Sequence, residues 1–277
     1  MSNPGFITAK PPWLTQTQGR TIFHPLPYTI TAEPLTPLSF SPFGSVIEDP
    51  EYPHIPLRTK SLQDPISANQ GTARKYTHVS PIINQYDSAP SQQPATVQMS
   101  YFACEPRDLD IVTPRRDPFY GDERTPDSTV PHGLFKIEVL ERHAFTTQTF
   151  APMGLADSVT PGLERGWPPE RDLGTGYLVI VAPTTRTEKG EEVPEVNRLR
   201  AFLAHGRQAV TYGVGVWHAP MVVVGKDVVG FVVTQWANGV ANEDCQEMYL
   251  ETQPLHGDEV VGVLVKGFEG HHRREET

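Results

Sequence analysis

Residues 141–154 read ERHAFTTQTFAPMG. A carboxylate, an imidazole and an amide share one short apolar stretch. Glu141 and His143 stand two apart, a spacing that sets both side chains on one face of a strand. Gln148 comes five residues after His143 and falls on the other face of a regular strand. A bulge or bend at Thr146 and Thr147 is the expected device that re-aims it. Pro152 and Gly154 then end the segment. Groups of these types bind a metal or move a proton.

The flanking sequence is strand-like. LFKIEVLERH (134–143) alternates apolar and polar residues, as an antiparallel strand with one wet face does. YLVIVAP (177–183) reads as a buried strand. QAVTYGVGVWHAPMVVVGKDVVGFVVTQW (208–236) holds three Val-rich runs split by glycine-bearing turns, and EVVGVLVKGF (259–268) is a last strand. Further strands are expected at 73–79 and 96–104, and a strand or short helix at 198–206. Residues 33–49 read as strand, turn and a new strand beginning at Val46. Residues 105–131 and 155–176 are expected as long loops, and 188–197 as an acidic loop. The 28 prolines and 22 glycines suit many short strands joined by turns. No internal repeat or long amphipathic helix is visible. The expected class is all-β, a barrel or sandwich.

Charge narrows the partners. With 23 basic and 33 acidic residues the net charge is -10. That argues against nucleic acid and anionic membrane surfaces. An anionic small molecule stays compatible, because a few local cations can hold it. No apolar run is long enough to span a membrane, and the N-terminal residues lack the apolar centre of a secretory signal. Cys104 and Cys245 are the two cysteines. Such usage fits a reducing, intracellular setting and inert thiols. The terminal EET is not the usual peroxisomal address. The expected compartment is the cytoplasm.

A second segment, HGRQAVTYGVGVWHAP (205–220), places Gly206, Gly213 and Gly215 ahead of Trp217-His218-Ala219-Pro220. The glycines permit a tight turn, and His218 begins the next strand. Together the two segments resemble the paired motifs of cupins. Glu141, His143, Gln148 and Gly154 fill the first motif. Gly206, Gly215 and His218 fill the second, with Tyr212 where proline is usual. This resemblance implies a double-stranded β-helix barrel with short helices and long loops, and side chains of the two motifs meeting inside it.

The local sequences are more specific. ERHAFTTQTFAPMG, YLVIVAP, LRAFLAHGRQAVTYGVGVWHAP and NEDCQEM resemble, in that order, the core of the ureidoglycolate lyase family, in a fungal-type version. LSFSPFGSVIE (38–48) and NQGTARKY (69–76) match its N-terminal part less closely. On this resemblance, residues 31–268 form one cupin-like domain, residues 1–30 an N-terminal arm and 269–277 a flexible tail. A homodimer is implied as well. The implied reaction is elimination of urea from ureidoglycolate to give glyoxylate, in purine (allantoin) catabolism. Hydrolysis with release of ammonia and a non-catalytic small-molecule binding module are the alternatives.

The residues suit that chemistry. Collapse of ureidoglycolate needs a base for its hydroxyl proton and an acid for the leaving nitrogen. His218, His143 and Glu141 are the catalytic candidates. Gln148, Lys75, Arg74, Asn69 and Tyr212 are the substrate-binding candidates. No cofactor is certain; a divalent metal (nickel, iron, manganese or zinc) held by His143, Gln148 and His218 is the open alternative. Glu and Gln stand where metal cupins usually carry His and Glu, and an amide is a poor ligand for such ions. Bland readings compete: Glu141 paired with Arg142 or Lys136 at the surface, Arg200 in a structural ion pair, and Trp217 and Phe150 as barrel packing.

Overall fold

The computed structural model describes residues 20–24, 28–48, 65–112, 131–155, 174–252 and 260–268. Strands dominate them, and the two α-helices among the described residues are four residues long each. No helix among them is long and apolar enough to cross a membrane.

Two sheets carry the site, beside a four-stranded one of Tyr28–Thr31, Val261–Lys266, His132–Lys136 and Asp110–Val112. One holds the strands Arg20–His24, Gln246–Thr252, Val139–Arg142, Trp217–His218, Gly176–Ala182, Arg200–Ala204 and Glu33–Pro34, with Val222–Val224 pairing to Gly176–Ala182. The other holds Gly44–Ile47, Ala209–Tyr212, Gln148–Met153, Val229–Ala237 and Thr96–Cys104, in that spatial order. The motif strands Val139–Arg142 and Trp217–His218 are neighbours, with Glu141 paired to His218.

Strand Gly176–Ala182 lies between two cores. All seven of its residues are buried. Tyr177, Val179 and Val181 point between the two sheets, where they meet Phe150, Phe202, Val210 and Phe231. Leu178, Ile180 and Ala182 point the opposite way, onto Leu140, Trp217 and Val263. A strand covered on both faces reads as a continuous apolar run, which is why YLVIVAP is legible as one. Burial on both sides stabilises it by roughly 1.5–3 kcal/mol for each large side chain.

Several expected elements come out differently. LFKIEVLERH is two strands, His132–Lys136 and Val139–Arg142, in different sheets. The burial phase slips between them: Phe135 and Ile137 are buried, then Leu140 and Arg142. Alternation persists through such a slip, so sequence alone does not reveal the change of partner. Residues 33–49 contain a short helix, Pro37–Phe40, because the Thr36 hydroxyl accepts from the Ser39 N–H at 3.1 Å and caps it. The expected 105–131 loop includes strand Asp110–Val112; the remainder from 113 to 130 lies outside the described residues. The acidic loop 188–197 carries strand Glu192–Pro194, paired with Thr184–Arg186. The 73–79 strand is only Ala73–Lys75, and 198–206 resolves as strand Arg200–Ala204.

Within residues 1–30, Arg20–His24 runs parallel to Gln246–Thr252 and Tyr28–Thr31 runs parallel to Val261–Lys266. The rest of that segment lies outside the described residues, as do 156–173 of the second expected loop and the tail 269–277.

Candidate active site

Each catalytic candidate is placed by its own piece of sheet. Glu141 is on Val139–Arg142. His143 follows immediately, where the chain leaves the larger sheet. Gln148 opens Gln148–Met153 in the smaller sheet. The chain thus crosses from one wall to the other between His143 and Gln148. That crossing, not a bulge within one strand, aims Gln148 toward His143. Two buried threonines hold it: Trp236 N–H donates to the Thr146 hydroxyl, and Ile83 N–H to that of Thr147, both at 3.0 Å.

Turn glycines set the two ends. Gly154 and Gly215 both have φ of +72°, a conformation that favours glycine. Gly215 N–H donates to the His143 carbonyl at 2.8 Å. The turn before His218 is thereby tied to the residue that His218 must face.

The two imidazoles are 5.4 Å apart, centre to centre. His218 Nε2 lies 3.5 Å from Glu141 Oε1. Tyr212 stacks flat on His218, 3.9 Å away with 9° between the rings. Both histidines are buried, while Glu141 keeps 21% of its side chain exposed and so opens toward solvent.

The backbone fixes both tautomers. His143 Nδ1 is 2.5 Å from the Asp244 carbonyl, and His218 Nδ1 is 2.9 Å from that of Val216. A carbonyl only accepts, so each Nδ1 carries hydrogen and each neutral ring presents a bare Nε2. Both Nε2 atoms are buried with no hydrogen-bond partner, and so is Gln148 Oε1. Each of the three is free to accept a hydrogen bond from a substrate or to meet an ion.

Electrostatics keep these groups distinct. Burial lowers the His143 pKa below the ordinary imidazole value; the neighbouring His218 adds to this, while Glu141, the Asp244 carbonyl and Gln148 oppose it. Burial alone would raise the Glu141 carboxyl, but His218, His143 and the Cys245 thiol together carry it below the usual carboxylate value. At neutral pH the site therefore holds a neutral His143 beside an ionised Glu141.

The donor set fits a divalent cation. Ligand atoms of Glu141, His143 and His218 all lie within 4.8 Å of one another. Imidazoles anchored through Nδ1 to backbone carbonyls, with Nε2 free, are how proteins commonly present histidine to a metal. The carboxylate of Glu141, rather than the amide of Gln148, completes this group.

The remaining candidates divide. Tyr212 is in the site and in the core together. Asn69, Arg74 and Lys75 lie on an exposed hairpin, Ile66–Ala68 with Ala73–Lys75, which pairs with no other strand among the described residues. They stand outside the two sheets that carry Glu141, His218 and Gln148. Arg142 turns away from Glu141 and pairs with Glu192 at 2.8 Å while stacking over Trp217. Arg200 forms a two-pronged pair with Glu33, which is the structural reading.

Other neighbours were not singled out by residue type. Cys245 Sγ is 3.8 Å from Glu141 Oε2. The Asp244 side chain accepts from Tyr86 Oη and from the N–H groups of Asn238 and Gly239, at 2.7–2.8 Å, and so fixes the carbonyl that holds His143. Gln235 Oε1 accepts from Gln148 Nε2 at 2.5 Å. The stretch NEDCQEM carried Asp244 and Cys245 within the family resemblance, but no side-chain chemistry marked them.

An all-β, cupin-like barrel with two histidines and a carboxylate converging inside it defines an enzyme of the cupin type. Comparison with known proteins gives the narrower assignment. The sequence profile of the ureidoglycolate lyase family matches residues 27–256. The chain is 35% identical over 223 residues to the ureidoglycolate lyase of Schizosaccharomyces pombe, covering 80% of this chain and 92% of that one. It is 35% identical over 199 residues to that of Saccharomyces cerevisiae, covering 72% and 80%. A bacterial ureidoglycolate lyase, from Stutzerimonas stutzeri, is 28% identical over 228 residues, covering 82% and 94%. The chain belongs to the ureidoglycolate lyase family.

Proposed function

We propose that this protein is a lyase that splits ureidoglycolate into glyoxylate and urea. The observation that carries the reading is the pair of bare Nε2 atoms of His143 and His218 beside Glu141. The substrate's central carbon bears a hydroxyl, a carboxylate, a hydrogen and the ureido nitrogen. His143, kept neutral, takes the hydroxyl proton. The C–O pair closes to a carbonyl, the C–N bond breaks, and its electrons stay on nitrogen. A solvent proton taken up between His218 Nε2 and the Glu141 carboxylate goes to that nitrogen, giving urea, and His143 returns its proton to solvent. No covalent intermediate with the protein is needed. Each well-placed acid or base is worth roughly 10²- to 10⁴-fold in rate.

The same donors support a second reading, in which Glu141, His143 and His218 hold a divalent ion. Such an ion would act as a Lewis acid on the substrate's oxygens. Substrate binding by Asn69, Arg74 and Lys75 then requires the exposed hairpin to meet the substrate's carboxylate from outside the barrel.

The test separates these readings. The purified protein is assayed with racemic ureidoglycolate before and after chelation, with metal content, urea, ammonia and glyoxylate each measured. Urea and glyoxylate without ammonia is the expected result. Ammonia would replace the lyase with an amidohydrolase, and no turnover would leave a binding module. Activity that survives chelation with no metal present assigns the chemistry to the side chains. Activity restored only by added ion recasts them as ligands.

We also infer a homodimer, through the outer face of the smaller sheet. None of its five strands contains a charged residue. On the outer side Val97, Met99, Tyr101 and Met153 are all more than half exposed. For a chain of net charge -10, a charge-free face lets two copies meet without like-charge repulsion. Met99→Glu with Tyr101→Glu is expected to halve the mass seen by light scattering. A wild-type mass of one chain would refute this inference. The free Cys104 and Cys245 support a cytoplasmic setting.

A further inference from the structure

The inner face of the smaller sheet carries a row of glutamines. In register across neighbouring strands stand Tyr212, Gln148, Gln235 and Gln98. Cross-strand partners point to the same face, and Tyr212 points inward onto His218. The adjoining row on this face is Val210, Phe150, Val233 and Ser100, three of them core residues. Apolar packing therefore gives way to amides at one level of the barrel, the level of the histidines.

Burial is graded along the row. Gln98 is exposed at the sheet edge, Gln235 is half-buried and Gln148 is 5% exposed. The amides thus lead from solvent to the catalytic candidates. Three neutral amides with no charge among them are a poor match for a carboxylate. They match another amide or a urea, which has N–H donors and one carbonyl acceptor.

Gln148 is poised for this. Its Nε2 is taken by Gln235 Oε1, so its own Oε1 is the atom left toward the site, buried and unpartnered. A buried carbonyl oxygen without a donor is costly. The base for the hydroxyl on the same carbon sits close by, because Gln148 also bears on His143.

Resting on the lyase reading above, we propose that Gln148 accepts hydrogen bonds from the ureido N–H groups of the substrate, and that Gln235 is the positioning residue that fixes its amide. The end of the substrate that leaves as urea is thereby read by the smaller sheet. The hydroxyl and carboxylate end is left to the histidine side.

The test uses the full chain and reads binding apart from turnover. Dissociation constants for urea, and for glycolate as a mimic of the other end, are measured by ligand-observed NMR for wild type, Gln235→Met and Gln235→Glu. Methionine removes the acceptor for Gln148 Nε2, whereas glutamate keeps one. Gln235→Met is expected to weaken urea about tenfold, the size of one lost hydrogen bond, and to leave glycolate within about twofold. Gln235→Glu should restore most of the urea affinity. In kinetics, KM for ureidoglycolate rises in Gln235→Met more than kcat falls. Equal losses for urea and glycolate would show a merely structural role and overturn the proposal. So would a wild type that binds glycolate but not urea. A wild type that binds urea but turns nothing over would instead defeat the lyase reading and leave the amide subsite standing.

Discussion

His143→Asn and His218→Asn are each expected to lower kcat for urea release by roughly 10²- to 10⁴-fold, the usual worth of one proton-transfer group. Asparagine is the informative replacement. Its side-chain N–H₂ lies where the imidazole Nδ1 lay, so the bonds to the Asp244 and Val216 carbonyls can be kept. What is removed is Nε2, which in His143 has no hydrogen-bond partner to lose and in His218 faces Glu141 at 3.5 Å. Thermal unfolding should shift little for His143→Asn. It should shift more for His218→Asn, because the flat stack on Tyr212 goes with the ring. Groups that act as one unit are not additive. The double variant is therefore expected to be no slower than about the worse of the two singles. Initial rates of urea and glyoxylate formation, with melting temperatures beside them, decide it. Either single variant within about threefold of wild type would remove that histidine from the chemistry.

Much of the site is legible in the sequence because its grammar is local. Glu141 and His143 share a face by strand periodicity, and Gly154 and Gly215 occupy turn positions whose positive φ the glycines themselves announce. YLVIVAP is legible because burial on both faces leaves no polar position. The invisible parts depend on non-local pairing. Nothing in LFKIEVLERH says that its partner changes from Val261–Lys266 to Gln246–Thr252 midway. The reach of Asp244 to His143 spans 101 residues, and the polar row containing Gln235 exists only once three strands align. A side chain's neighbours across a sheet are a property of register, and register here is set by the two cores rather than by a recognisable turn. The hairpin carrying Asn69, Arg74 and Lys75 shows the converse: residues offered by the family resemblance stand on a hairpin that joins neither main sheet.

Glu141→Gln is the sharper test of how the histidines are tuned. The amide keeps the shape and removes the anion from a group that faces His218 at 3.5 Å through one oxygen and Cys245 at 3.8 Å through the other. Loss of the proton partner of His218 is expected to reduce kcat by roughly 10²-fold or more. The pH profile carries a definite sign. In wild type, His143 sits below the ordinary 6.5 and Glu141 below 4.5. Activity that needs neutral His143 and ionised Glu141 therefore persists as pH falls through 6.5 and is lost only at lower pH. The anion of Glu141 favours protonated His143, so removing it moves the His143 pKa further down. The residual activity of Glu141→Gln should accordingly decline at a lower pH than that of wild type. The thiol gives an independent reading. Burial and then Glu141 hold the Cys245 pKa high, so the variant's thiol should react faster with an alkylating reagent at fixed pH, since the thiolate is the reactive form. An acid limb that moves upward, together with unchanged alkylation, would mean that Glu141 is not the charge that sets this site. The proton for the leaving urea nitrogen would then have to come from His218 alone.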